Sequence, residues 1–306
     1  MNARTAVLAA LAAITALLLS PKAFAQGYYN DAAGVNAPMM KAEKTVVDGR
    51  TGERKRVIVE QAPAKDSYGN AQGSQFDLGV DGAFDGQTVA VIQLYTLESN
   101  FDFKLPKAAL AQKGFSVYRW IGKAPSPKEL ENALEKSCQL WVIATDSPQL
   151  TEEHVAIIKR FFDAGHGVYI WGDNEPYYAD ANVLGRALLG VQMSGNLMGH
   201  QVVGLQQKPG GPGLLPKHLV MTGIEQIYEG ITIATIAPNQ QLTPLIYGSA
   251  GNFVTGLYER DGKRAIFDGG FTRLYNNWDT AGTARYVKNA AVWLAHAEKF
   301  GARASR

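Results

Sequence analysis

One cysteine, Cys138, stands in a chain of 306 residues, so no disulfide can form within it and stability has to come from packing. Cys138 opens the apolar segment "CQLWVIAT", where a buried, inert thiol is expected rather than a nucleophile. The five histidines show no His-x-His or His-Glu-x-x-His spacing, which excludes the usual zinc patterns. No Asp-x-Asp-x-Asp-Gly loop is present, and neither a P-loop nor a dinucleotide-binding glycine pattern occurs. Neither a metal nor a cofactor is therefore expected. Gly-x-Ser-x-Gly is also missing, because "GSAG" at 248–251 lacks its spacing. No internal repeat is visible.

Long apolar runs are scarce too. The longest, Ala6 to Leu19, follows Arg4 and precedes "SPKAFA". This is the charged, apolar and small-residue order of a secretory signal peptide, and the run is shorter than the roughly 20 residues of a membrane span. Cleavage is expected after Ala25, leaving a periplasmic or secreted protein with no membrane span. Removing residues 1–25 takes away Arg4 and Lys22 and no acid, so the formal charge falls from +2 to zero. Without a strong field, nucleic acid is not an expected partner.

Residues 26–86 are rich in Gly, Asn, Gln and Asp. Within them, two β-prone runs, Thr45–Val47 and Arg56–Glu60, flank the turn-rich "DGRTGE" and predict a hairpin near 45–60. Such a ribbon is either a solvated surface feature or a docking arm for a protein partner. "KDSYGNAQGSQFDLGVDGAFDG" reads as an extended linker.

From Thr88 the pattern alternates. "TVAVIQLY", "FSVYRW", "LWVIAT" and "GVYIW" are strand-length apolar runs separated by helix-like segments. "SPKELENALEK" carries a capping box, with Ser126 as N-cap, Pro127 at the first helical position and Glu129 reaching back. In "TEEHVAIIKRFFDAG", Val155, Ile158, Phe161 and Phe162 fall on one helical face. Four such units imply a parallel sheet covered on both faces. The expected fold is a flavodoxin-like three-layer α/β sandwich over residues 87–300. Its sheet is mainly parallel, with antiparallel additions in the C-terminal third from "GITIATIA", "TPLIYG", "NFVTGLYE" and "RAIFDGG". The Gly- and Pro-rich "GNLMGHQVVGLQQKPGGPGLLPKH" reads as a surface excursion, and "AGTARYVKNAAVWLAHA" as the closing helix with Val287, Ala290, Ala291 and Leu294 inward.

This order of elements, with "CQLWVIATDSPQLTEEHVAIIKRFFDAGHGVYIWG" and the late "GKRAIFDGGFTRLY", resembles the class I glutamine amidotransferase-like superfamily, in particular its trehalose-utilisation-protein-like and gliding-motility-associated branches. The resemblance covers roughly residues 88–297 and implies a nucleophilic Cys between glycines after a core strand, with a His and a Glu supplied late in the chain. Here that turn reads Gly172-Asp173-Asn174, and no His-x-Glu occurs. Glutamine hydrolysis by such a triad lacks both its attacking atom and its base.

Ligands of open parallel sheets bind at the strand C-termini. The proposed strand ends carry Glu98 and Asn100, then Asp146, then Asp173, Asn174, Glu175 and Tyr177, and, if the late strand is parallel, Asp268 and Arg273. The plain alternative is that these Asp and Asn residues cap the following helices. Phe101, Trp171, Tyr177, Tyr178, Phe271, Tyr275 and Trp278 accompany them. Acid, amide and aromatic side chains together suit a hydroxyl-rich or peptide ligand. The expected function is a non-catalytic binding or assembly module. The alternative is a hydrolase of sugar or peptide bonds, with Asp173 or Glu175 as base and Glu98 or Asp146 as acid. Pro176 is expected to delay the next helix to about Ala181.

Overall fold

The computed structural model describes residues 27–99, 101–278 and 281–300. The expected signal peptide, residues 1–25, and Asn100 lie outside the described residues. In chain order the elements are β1 (Met40–Val47), β2 (Arg54–Gln61), β3 (Thr88–Gln93), α1 (Lys104–Gln112), β4 (Ser116–Ile121), α2 (Pro127–Leu134), β5 (Gln139–Ile143), α3 (Glu152–Asp163), β6 (Gly167–Trp171) and α4 (Ala179–Leu184). Then follow β7 (Met193–Met198), β8 (Val202–Gly204), β9 (Gly213–Leu214), β10 (Gln226–Tyr228), β11 (Thr232–Ile236), β12 (Thr243–Tyr247), β13 (Phe253–Arg260), β14 (Lys263–Asp268), α5 (Thr283–Leu294) and α6 (Ala297–Phe300).

The central sheet has eight strands in the order β4-β3-β5-β6-β14-β13-β12-β9. β4, β3, β5, β6 and β14 are parallel, and β13, β12 and β9 extend them antiparallel. Counted among themselves, the parallel strands run 2-1-3-4-5, which is the flavodoxin-like order. Their side chains alternate between two cores. Val91, Trp141, Ile143, Tyr169, Trp171 and Ile266 pack with Leu110 of α1 and Val287, Ala291 and Leu294 of α5. Ile92, Val142, Ile170 and Phe267 pack with Leu130, Ile158, Phe162 and Leu184 on the other side. The chain is thus a three-layer α/β sandwich.

The helix starts follow their sequence signals. Ser126 accepts from Glu129 N at 3.3 Å while Glu129 accepts from Ser126 N at 2.9 Å, a capping box worth about 1 kcal/mol. At α3, His154 takes the place of the acid. Its Nδ1 accepts from Thr151 N at 3.1 Å, so its Nε2, 2.7 Å from Pro125 O, donates to that carbonyl. His154 is therefore a buried structural cap. The buried face of α3 holds Ile157, Ile158, Phe161 and Phe162, with Val155 only half-buried; the expected stripe is shifted by part of a turn. Cys138 lies at the entrance to β5, its Sγ donating to Thr88 O at 3.3 Å, and burial pushes its thiol up to about 12.

Two expectations meet a different arrangement. "GITIATIA" does not return to the central sheet: its strand β11 pairs antiparallel with β7 in a separate two-stranded sheet. An apolar run reports burial and not which edge it meets, and β14 already occupies the free edge of β6. The segment expected as an extended linker is packed against the body. Phe76, Leu78 and Phe84 are buried, and Asp77 is gripped by Lys113 Nζ at 2.8 Å, Arg285 Nε at 2.7 Å and Lys288 Nζ at 2.6 Å. Burial opposes ionisation of Asp77, and Lys288 and Lys113 overcome it, holding the carboxyl below its usual value. The β1–β2 hairpin, by contrast, is exposed along both strands, with the antiparallel register Thr45↔Arg56.

Candidate functional site

β6 ends at Trp171, and the chain turns through Gly172 into Asp173. Gly172 lets the turn pack closely, since a Cβ there would meet Met193 Sδ at 2.5 Å and Tyr178 Cβ at 3.0 Å. The turn is tied to β14 by Gly172 N donating to Asp268 O at 2.8 Å, and it closes with Asp173 N donating to Tyr177 O at 3.1 Å. Glu175–Pro176 is cis. α4 begins at Ala179, two residues before the expected start.

Asp173 is 1% exposed. Its Oδ1 accepts from Asn174 N at 2.8 Å and from Thr232 Oγ1 at 3.3 Å, and the Thr272 hydroxyl also reaches the carboxyl. Burial pushes the carboxyl up to about 8, and the Asn174 N–H, the Thr272 and Thr232 hydroxyls and the Arg273 charge only moderate the rise. At neutral pH Asp173 is therefore mainly an uncharged acid. Only the minor ionised fraction could serve as a general base there, and Glu175, the other base of the expected hydrolase arrangement, is exposed.

Three phenols share its electrostatic surroundings. Burial raises Tyr95, Tyr275 and Tyr228 above their ordinary values, and the Asp173 carboxylate adds to the rise in each. Tyr95 and Tyr275 are hydrogen-bonded to one another. Around them Tyr177 meets Tyr95 edge-on at 5.4 Å, Phe271 lies 4.8 Å from Tyr95, and Phe101 stacks on Tyr275 at 4.6 Å. Tyr177 and Tyr275 are half-buried, so this aromatic group reaches from the core to the surface.

Below it lies a second cluster. Asp268 and Arg273 are fully buried and paired at 3.0 Å. Asp268 Oδ1 accepts from Gly270 N at 3.1 Å. Tyr169 and Tyr286 bring their hydroxyls to 3.0 Å from Oδ2 and 2.6 Å from each other. Arg273 Nη2 donates to Glu229 O at 2.8 Å, and its guanidinium lies 5.7 Å from the Tyr286 ring and 6.0 Å from the Trp171 ring. Gly270 makes this approach possible, since a Cβ there would come within 2.6 Å of both Glu229 O and Arg273 Nη2. Gly270→Ala is expected to cost roughly 1–3 kcal/mol, the usual cost of overpacking, as a lower urea midpoint with an unchanged slope.

The residues expected at the mouth thus divide. Asp173, Asn174 and Tyr177 come together at the β6 turn, with Asn174 Oδ1 accepting from Thr232 at 2.7 Å. Exposed Glu98 lies close enough to raise the pKa of Tyr95 and of Tyr275. β14 is parallel to β6, as Asp268 and Arg273 required, but their side chains point into protein and are occupied by it. Both are buried among Trp171, Tyr169 and Tyr286, where they brace the turn from below. Asp146 is exposed, with Ser147 at 3.2 Å as its side-chain partner. Glu175 is exposed, and its N–H donates to Gly195 O at 2.9 Å. Sequence reading missed Tyr95, Tyr228, Thr232, Thr272 and the buried Glu229, which Ser249 holds through N and Oγ at 2.7 Å each. An acid inside "QIYEGITIATIA" was the one signal available for the last of these.

No protein-family model matches the chain, and no curated protein is similar to it in sequence. Among solved structures it is similar to a protein assigned as part of a GMP synthase from Thermoplasma acidophilum, at 8% identity and a TM-score of 0.43, over 71% of this chain and 98% of that one. It is also similar to a ThuA-like protein from Bacteroides uniformis ATCC 8492, at 12% identity and a TM-score of 0.45, over 68% of this chain and 90% of that one. An exo-β-1,4-mannosidase from Opitutaceae bacterium strain TAV5 matches at 11% identity and a TM-score of 0.40, over 69% of this chain and 36% of that one. These values are too low to assign a family or an activity. With Cys138 at the entrance to β5 and Asp173 at the β6 turn, the chain holds no Cys-His-Glu triad. Among the described residues, no group of three or more His, Cys, Asp and Glu could hold a metal ion. No helix of the described residues is long and apolar enough to cross a membrane.

Proposed function

We propose that this chain is an exported, non-catalytic amidotransferase-like module that binds a neutral hydroxyl-rich or amide-bearing ligand at the aromatic mouth over Asp173. The observation that carries the reading is Asp173 itself. At the turn where the resembled enzymes hold a thiolate, it presents a buried acid whose pKa burial raises to about 8, close enough to Tyr95, Tyr228 and Tyr275 to shift their titration. Such a group donates and accepts hydrogen bonds but is a poor nucleophile while protonated. Rings with polar tips suit the apolar faces and hydroxyl edges of a sugar, or the amides of an extended peptide.

The test is equilibrium binding of neutral probes, cello- and malto-oligosaccharides and tetra-alanine, to the mature protein and to Tyr275→Phe. That variant keeps the ring packing on Phe101 and loses the hydroxyl. One hydrogen bond to the ligand is worth about 1 kcal/mol, so affinity is expected to fall at least about fivefold. Tyr118→Ala, on the far edge of the sheet, is expected to leave it unchanged. Equal affinity in all three proteins would remove the tyrosine mouth from the site.

A further inference from the structure

The β1–β2 hairpin has the shape of a ribbon waiting for another strand. Neither strand contains a buried residue, and Ala42 and Val59 alone are half-buried. Ile58 is 74% exposed, with Val46, Val47 and Val57 also in solvent. An isolated two-stranded ribbon is marginal in water. Among the described residues, the outer edge of β2 pairs with no other strand, leaving a row of backbone donors and acceptors open.

The charge order along β2 decides what fits that edge. The strand reads "RKRVIVEQ", basic at its start, apolar at its centre and acidic near its end. An antiparallel copy inverts this order, so the strand is complementary to itself. Centred on Ile58, the pairing sets Ile58 against Ile58 of the second copy. It sets Val57 against Val59 twice and Arg56 against Glu60 twice, every pair on a common face. Arg56 has only a loose, exposed contact within its own ribbon, with Glu43 at 3.8 Å, and is free to take the new partner.

We propose that two copies of this chain associate through β2, joining their hairpins edge to edge into a four-stranded antiparallel sheet about a twofold axis at Ile58. Like the isologous contacts of most dimers, it closes on itself and leaves no further β2 edge to propagate. This lies apart from the proposed ligand mouth and does not depend on it.

Sedimentation of the mature protein over a concentration series is the test. The wild type is expected to reach twice the chain mass. Arg56→Glu and Glu60→Arg each place like charges opposite one another at both symmetric positions, and each is expected to weaken association about tenfold or more. Ile58→Lys is expected to abolish it. Combining Arg56→Glu with Glu60→Arg restores opposite charges at both positions and is expected to restore the dimer. Three outcomes overturn the proposal: a wild type that stays monomeric throughout, a dimer indifferent to the single reversals, as one formed through the β4 edge would be, and a double variant as weak as the singles.

Discussion

Asp173→Asn is expected to flatten the pH dependence of stability between about pH 4 and 8 and to make the protein more stable than the wild type above that window. The buried carboxyl titrates at about 8 in the fold and near 3.9 in an unfolded chain. Between those values the folded protein keeps a proton that the unfolded chain has released. The stabilisation is complete below the lower value and is lost as pH rises through the upper one. At about 1.4 kcal/mol for each pH unit between them, the full effect is on the order of 5 kcal/mol, reduced by whatever relaxation admits water to Oδ2. Asparagine keeps an acceptor for the Asn174 N–H and has no charge to bury. Urea midpoints of both proteins at pH 5, 7 and 9 isolate this group, because every other titrating residue is common to the pair. Parallel curves would show that Asp173 is ionised at neutral pH and the burial argument mistaken.

The second large effect lies beneath the turn. Removing one partner of a buried ion pair typically costs about 3–5 kcal/mol, because the other charge is left uncompensated. Asp268→Ala is expected to reach that range, since it abandons the Arg273 guanidinium, both tyrosine hydroxyls and Gly270 N together. Arg273→Met is expected to cost less. It leaves Asp268 with Gly270 N and the Tyr169–Tyr286 hydroxyl pair as donors and replaces the guanidinium with an uncharged side chain. Asp268→Ala with Arg273→Met is expected to be less damaging than the sum of the single changes. Urea unfolding of the four proteins completes the cycle, and costs below about 1 kcal/mol for both singles would mean the pair is not a support of the β6 turn.

Position along the chain made part of this legible. Strands buried on both faces, a Ser126–Glu129 capping box and a Gly-bounded β6 are local signals, and they suffice to place Asp173 at a strand's C-terminal end. What surrounds Asp173 was not local. Thr232 and Thr272 are isolated hydroxyls in unrelated segments, and Tyr95 reads as one more apolar residue in "TVAVIQLY". Asp268 and Arg273 look like mouth residues in sequence. Their burial follows from Tyr169 and Tyr286, which converge on Asp268 from β6 and α5. The linker expected before Thr88 failed for a related reason: Gly, Asn and Asp announce turns, and Asp77 gains its place from Lys113, Arg285 and Lys288, which its own neighbourhood does not contain.

On the proposed function, the turn after β6 holds a ligand without transforming it. Isothermal calorimetry of the mature protein with the oligosaccharide and tetra-alanine probes, with the recovered probes weighed by mass spectrometry, tests it most directly. The expected result is a saturable heat with one of them at one site per chain, weaker in Asp173→Asn, and every probe recovered intact. Cleaved probe, with cleavage lost in Asp173→Asn, or no binding heat from either class, would contradict it.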